Sequence, residues 1–99
     1  MTTVTMIPGV TVANPGIATT LQTFNVTVTA PQGAYIVGRW DIQGSNDQFS
    51  WDSVGGIEVR GTTQASGSWS DDGTDFAFYR MVQVVLQPVG ATVAANVVY

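Results

Sequence analysis

Hydrophobic and polar residues alternate with a period of two along most of the chain. In the segment 21–30, Phe24, Val26 and Val28 fall on one side, and the residues between them are threonines and an asparagine. Side chains point alternately to the two faces of a β-strand, so this pattern predicts a half-buried antiparallel strand with a threonine-rich outer face. The segment 35–43 repeats the alternation and predicts a second such strand.

The stretch Arg39–Trp51 predicts a β-hairpin. Trp40 and Ile42 share one face of its first strand, and the run Gly44–Asp47 consists of residues that favour tight turns. Phe49 and Trp51 resume the apolar alternation on the return strand. We therefore expect the aromatic side chains of this hairpin to form much of the core.

The second half of the chain predicts further strands. Gly55–Gly56 is expected to break the return strand of the hairpin before a short strand at 57–60. The polar segment 61–73 has the composition of an exposed loop. The segment 75–87 carries apolar residues on both faces, which predicts a central strand. A last alternating strand is expected at 91–99.

The amino-terminal segment 1–17 alternates weakly and is interrupted by Pro8–Gly9. It predicts an edge strand or an extended arm that reaches a neighbouring subunit. Nowhere does the chain show helical periodicity. Residues 1–99 therefore predict one all-β domain, an antiparallel β-sandwich of about seven or eight short strands, with a small antiparallel β-barrel as the alternative.

The composition removes several kinds of chemistry. The 99 residues include no cysteine and no histidine, so the chain lacks disulfides, thiolate metal ligands and the commonest general base. We expect no catalytic residues, no cofactor and no metal site. The aspartates of the segment Asp71–Asp75 are expected to form a solvated turn, with a weak cation site as the alternative.

Charge is scarce and its balance is acidic. The formal net charge is −4, lysine is absent, and the three cations are arginines. Nucleic acids require clustered positive charge, so we expect no nucleic-acid partner. Lysine is the usual guard of exposed sheet edges, so the edges of this sandwich are expected to be covered within the fold or by partner subunits.

Two residues stand out from the alternation. Arg80 is expected on the inward face of its strand, either paired with a carboxylate such as Asp41 or Asp75 or placed at a subunit interface. Trp69 lies in the polar segment 61–73, either folded back as a plug on the core or acting as a contact anchor.

The run from Trp40 to Asp47, then Trp51, then Phe78–Val82 resembles the central part of discoidin-type (F5/8 type C) modules. The sequence departs from that family at Gln48, where glycine is usual, in the missing terminal cysteines and in its shorter length. The family's carbohydrate or lipid binding is therefore not transferred to any residue of this chain.

The same pattern, together with the size and the Thr-, Val-, Ala- and Gly-rich composition, also resembles small β-domains of tailed-phage virions, such as head decoration or cement proteins. That resemblance implies a non-enzymatic structural protein, found in the virion and made in the host cytoplasm without a signal peptide or a membrane partner. Its expected partners are itself, with a trimer as the first expectation, and a major capsid or other virion protein. The residues expected at contacts are Val4, Met6, Ile7, Val10, Trp69 and Tyr99.

The alternative function is a carbohydrate-binding or adhesion module. In that case Trp69 and the segment Asp71–Asp75 would form the binding platform. The two functions predict different surroundings for Trp69: an exposed indole beside a rigid acidic cleft favours ligand binding, and an indole buried at a subunit contact favours assembly.

Overall fold

A computed structural model describes residues 3–7, 11–13, 22–71 and 76–99. These residues form two antiparallel sheets packed face to face, which confirms the predicted β-sandwich. The strands are β1 (Thr3–Met6), β2 (Gln22–Thr29), β3 (Tyr35–Ser45), β4 (Asp52–Thr62), β5 (Gln64–Asp71), β6 (Phe78–Gln87) and β7 (Thr92–Val98). A single 3₁₀ turn, Pro31–Gly33, connects β2 to β3.

The first sheet has four strands in the order β1-β7-β2-β5, and the second has three in the order β4-β3-β6. The inward-facing positions of both sheets form the core, as the sequence alternation predicts. Trp40 on β3, Phe24 on β2 and Tyr79 on β6 are fully buried there. The rings of Phe24 and Tyr79 meet across the sandwich with their centroids 6.0 Å apart.

The two sheets are joined differently on their two sides. On one side only Thr63 separates β4 from β5, although the two strands belong to different sheets. Thr63 has a positive φ of 70°, and its backbone bonds to Ala30 and Ala34 fix the crossing. On the other side, Ala13 forms an isolated antiparallel bridge to Tyr79 of β6.

Two predictions about the middle of the chain are wrong. Gly55–Gly56 does not interrupt β4, which runs continuously through both glycines. The segment expected to be a loop contains β5, whose eight residues pair with the full length of β2. The inward positions of β5 are Ala65, Gly67 and Trp69. Because only one of these side chains is bulky, β5 lacks the apolar alternation that would have predicted a strand.

The described strands of the second sheet contain two β-bulges. Val54 is the extra residue between β3 and β4, and Val84 is the extra residue between β3 and β6. Gly38 remains regularly paired on both sides. A Cβ atom at Gly38 would overlap the indole of Trp40, so this glycine makes room for the largest side chain of the core.

The predicted central position of the strand 75–87 is also wrong. β6 forms an edge of the three-stranded sheet, and β3 is its central strand. The second apolar face of β6 is therefore not covered by another layer in the described chain. Phe49 contradicts the prediction of an aromatic hairpin core, because its side chain is 90% exposed.

Candidate functional site

Trp69 lies between the sheets rather than in an exposed loop. Its indole packs on Gly55 of β4, where a Cβ atom would overlap the ring, and its centroid lies 6.0 Å from that of Phe24. The side chain is half-buried. Trp69 therefore resembles the expected core plug, but it reaches that position from a strand.

The other predicted contact residues are dispersed. Met6 is buried in the chain's own core, and Val4 and Tyr99 are half-buried against it. Ile7 is 58% exposed, while Val10 lies outside the described residues. Of the predicted contact residues that the structure describes, Ile7 is thus the most exposed.

The acidic segment can be placed only in part. β5 ends at Asp71, and the residues 72–75 lie outside the described chain. The indole of Trp69 faces the sandwich interior. It therefore does not contribute to the ligand platform expected from Trp69 and this segment. Within the described ranges, no three His, Cys, Asp or Glu residues are grouped as a metal site would require.

Arg80 lies on the outer face of β6, not on the inward face that the sequence predicted. Its Nε donates a 2.7 Å hydrogen bond to Oε1 of Gln43, and its guanidinium lies 4.2 Å from the ring centroid of Trp51. Gln43 in turn donates to Asp41, so a carboxamide separates Arg80 from the carboxylate expected to pair with it. The inward positions of β6 are taken by Tyr79 and Met81, one residue out of step with the prediction.

Phe49 is carried by a loop whose backbone is held by side chains. The buried Ser45 hydroxyl accepts from the N–H groups of Asp47 and Gln48, and Oδ1 of Asp47 accepts from those of Phe49 and Ser50. These bonds, with that from Ser50 first, hold the pKa of Asp47 below its ordinary value of 3.8. The loop therefore presents an exposed phenyl ring from a constrained backbone.

One long edge of the sandwich has no partner strand among the residues that the structure describes. Tyr79 exchanges both of its backbone hydrogen bonds with Ala13, at 2.8 and 2.9 Å, on the side of β6 that faces away from β3. Backbone groups alternate in direction along an antiparallel strand, so those of Met81 and Gln83 point to the same side. No described residue pairs with them. We call the segment Met81–Gln87 the open edge.

Among the described residues, the outer face of the four-stranded sheet carries no charged side chain. We call it the neutral face, and its members are Thr3, Thr5, Thr23, Asn25, Thr27, Thr29, Gln64, Ser66, Ser68, Ser70, Thr92, Ala94, Asn96 and Val98. The outer face of the other sheet is charged, with all three arginines, Asp41 and Glu58. The alternation of β2 predicted a threonine-rich face. That this face extends over four strands could be seen only from the pairing of the strands.

Comparison of the chain with protein-family models, with curated proteins and with solved structures finds no match. The described part of the chain contains no helix long and apolar enough to cross a membrane. The open edge, the neutral face and the loop carrying Phe49 are therefore the features on which a function has to be argued.

Proposed function

We propose that the chain is a non-enzymatic structural protein of a phage virion, which decorates or cements a capsid through contacts between its copies and with the capsid lattice. The observation that carries this proposal is the open edge of β6. An unpaired strand edge is a template for another strand, and folds that remain monomeric guard such edges.

The open edge has little of the usual protection. The run from Met81 to Ala91 contains no charged residue, and Val84 and Val85 are 55% and 39% exposed beside it. The β-bulge at Val84 is its one local irregularity, and it shortens the regular part of the edge. Two copies can therefore pair at this edge without bringing charges into contact.

Pairing of β6 with β6 of a second copy would be antiparallel and two-fold. It would join two three-stranded sheets into one of six strands and satisfy the backbone groups of Met81 and Gln83. The mechanism is passive. Subunits that bind to the assembled capsid stabilise the assembled state by mass action. A two-fold contact favours an even number of copies, and the trimer stays a prediction from the sequence.

The test is the mass of the purified chain in solution, measured by light scattering over a concentration series. The wild type should associate as its concentration rises, and Val84→Lys should shift the step that forms at the open edge to at least tenfold higher concentration. Phe49→Lys is the matched control, because it also replaces an exposed apolar side chain by lysine but lies in the loop after β3, outside the open edge.

Amide hydrogen exchange gives a second readout. In the dimer, the N–H groups of Met81 and Gln83 should exchange more slowly than in the monomer, whereas that of Phe49 should not change. A wild type that stays monomeric up to millimolar concentration, or equal effects of Val84→Lys and Phe49→Lys, would overturn pairing at the open edge.

The virion location needs its own experiment. An antibody raised against the purified chain should label intact particles of the phage whose genome encodes it, and electron microscopy should place the label on the head. Particles that carry no label, alongside free protein in the lysate, would remove the virion assignment and leave a self-associating β-domain.

The second candidate function is a carbohydrate-binding or adhesion module. The observation that favours it is Phe49, because an exposed ring on a constrained backbone can stack on a sugar with little ordering cost. A glycan array is the test: binding that Phe49→Ser abolishes and Val84→Lys leaves intact would support the module in place of assembly.

A further inference from the structure

We propose that the neutral face packs against the neutral face of a second copy of this chain. This inference rests on the proposed function, because it names a second self-contact of the same assembling subunit. It concerns the four-stranded sheet, whereas the open edge belongs to the three-stranded one. The two contacts use different residues and can form independently.

The side chains of the neutral face suit a partner identical to themselves. Hydroxyl and carboxamide groups both donate and accept hydrogen bonds, so two such faces related by a two-fold axis can satisfy each other. Part of the array is already ordered. Asn25 donates to Asn96 across 3.0 Å, and the hydroxyls of Thr23 and Ser70 lie 2.9 Å apart.

The distribution of charge selects a second copy over a charged partner. A strongly charged surface placed on the neutral face would lose hydration and gain no opposite charge. Two copies of a chain with net charge −4 repel each other, and the repulsion is weakest when their charged surfaces are far apart. Contact through the neutral faces places all three arginines, Asp41 and Glu58 of each copy on the outside.

The size of the face indicates the strength of the contact. Strand β2 has eight residues. At about 3.3 Å per residue and about 4.8 Å between strands, the four strands, of four, seven, eight and eight residues, cover about 430 Å². Two faces would together bury about 860 Å², which is in the range of weak, transient protein contacts. We therefore expect an association that forms at micromolar or higher concentration and is weaker than an obligate dimer.

Two different two-fold contacts on one chain extend the assembly beyond a dimer. If their axes intersect at a right angle, the open edge and the neutral face close a tetramer; otherwise they generate a chain of subunits. Either product would present the charged outer faces of the three-stranded sheets to the surroundings.

The experiment is sedimentation velocity on the wild type and four variants over a concentration series. Thr27→Arg introduces a charge at the centre of the neutral face, and Val84→Lys blocks the open edge. The double variant removes both contacts. Thr62→Arg is the matched control, since it places the same charge on a strand of the other sheet.

We expect the wild type to exceed a dimer, each single variant to stop at a dimer, and the double variant to stay monomeric. Thr62→Arg should behave as the wild type. If Val84→Lys leaves a monomer and Thr27→Arg changes nothing, the neutral-face contact is wrong while the open-edge assembly stands. Equal loss of mass from Thr27→Arg and Thr62→Arg would also overturn the neutral-face contact.

The far-ultraviolet circular dichroism of each variant shows whether it is folded. If Thr27→Arg fails to fold, Ser68→Arg tests the same face from β5, where the side chain is exposed. A wild type that is monomeric at every concentration overturns both the inference and self-assembly at the open edge.

Discussion

The guanidinium of Arg80 lies over the indole of Trp51, 4.2 Å from the ring centroid. The contact joins β6, an edge strand of the three-stranded sheet, to the residue that ends the loop carrying Phe49. Arg80 is also hydrogen-bonded to Gln43 of the neighbouring strand, so its side chain is held from two directions. The pair therefore fixes where the constrained loop meets the outer face of the sheet.

Removing this cation–π contact should lower the free energy of unfolding. A double-mutant cycle of Arg80→Met and Trp51→Leu, measured by urea unfolding, is expected to give a coupling of about 0.5–1 kcal/mol. Arg60→Met is the control, because Arg60 pairs with the exposed Glu58 and exposed ion pairs contribute little to stability. A coupling indistinguishable from zero would show that Arg80 and Trp51 are merely adjacent.

Gly55 should resist substitution because the indole of Trp69 occupies the space a side chain needs. We expect Gly55→Ala to lower the free energy of unfolding by about 1–3 kcal/mol, the usual cost of overpacking. Gly56→Ala is the matched control, since its Cβ would meet only the Trp40 carbonyl oxygen at 3.3 Å. Adding Trp69→Leu to Gly55→Ala should restore part of the loss, and equal losses from both glycines would contradict the packing described.

Gln22 is fully buried, and neither polar atom of its carboxamide has a hydrogen-bond partner in the described part of the chain. An unpaired buried polar group costs about 1–3 kcal/mol, so Gln22→Met should raise the free energy of unfolding by a similar amount. Gln64→Met, at an exposed position of the same sheet, should change it by less than about 0.5 kcal/mol. Thermal and urea unfolding measure both variants, and a loss of stability in Gln22→Met would refute the prediction.

Asp47 should make the stability of the fold depend on pH in the acid range. Its pKa in the folded chain lies below the ordinary 3.8, chiefly because the Ser50 N–H donates to the carboxylate. Folding therefore favours the charged form, and the stabilisation is present above pH 3.8 and lost as the pH falls through the folded pKa. The stability difference between wild type and Asp47→Asn should shrink correspondingly below pH 3.8.

Urea unfolding between pH 2 and pH 7 measures this dependence. Ser50→Ala serves as the control, because it keeps the backbone N–H that Asp47 accepts and should leave the pH dependence unchanged. A stability difference between wild type and Asp47→Asn that is constant across the acid range would exclude the carboxylate as its source.

The sequence predicted the strands whose inward residues are bulky. The alternation of Phe24, Val26 and Val28 located β2, and that of Ile36, Trp40 and Ile42 located β3. It missed β5 because the inward side of that strand is made of Ala65, Gly67 and Trp69. Small residues are required there, since a Cβ at Gly67 would lie 3.0 Å from both Ile57 and Val59 of β4.

The face of each residue on β6 was harder to predict than the strand itself. Both sides of the strand are apolar, so the alternation did not decide between the side of Arg80 and the side of Tyr79. Val84 then adds a residue to the strand and shifts the register of its second half. The open edge and the neutral face depend on which strands become neighbours, and a single strand's pattern does not contain that information.

Because the chain crosses from one sheet to the other at Thr63, the two sides of the sandwich differ in how easily they can separate. On one side, a covalent connection of one residue joins β4 to β5. On the other side, two backbone hydrogen bonds between Ala13 and Tyr79 hold the amino-terminal segment against β6. If those two hydrogen bonds break, Tyr79 joins Met81 and Gln83 as positions of β6 whose outward backbone groups have no partner among the described residues, while the connection through Thr63 remains intact. The amino-terminal segment therefore decides how much of β6 a neighbouring chain can reach.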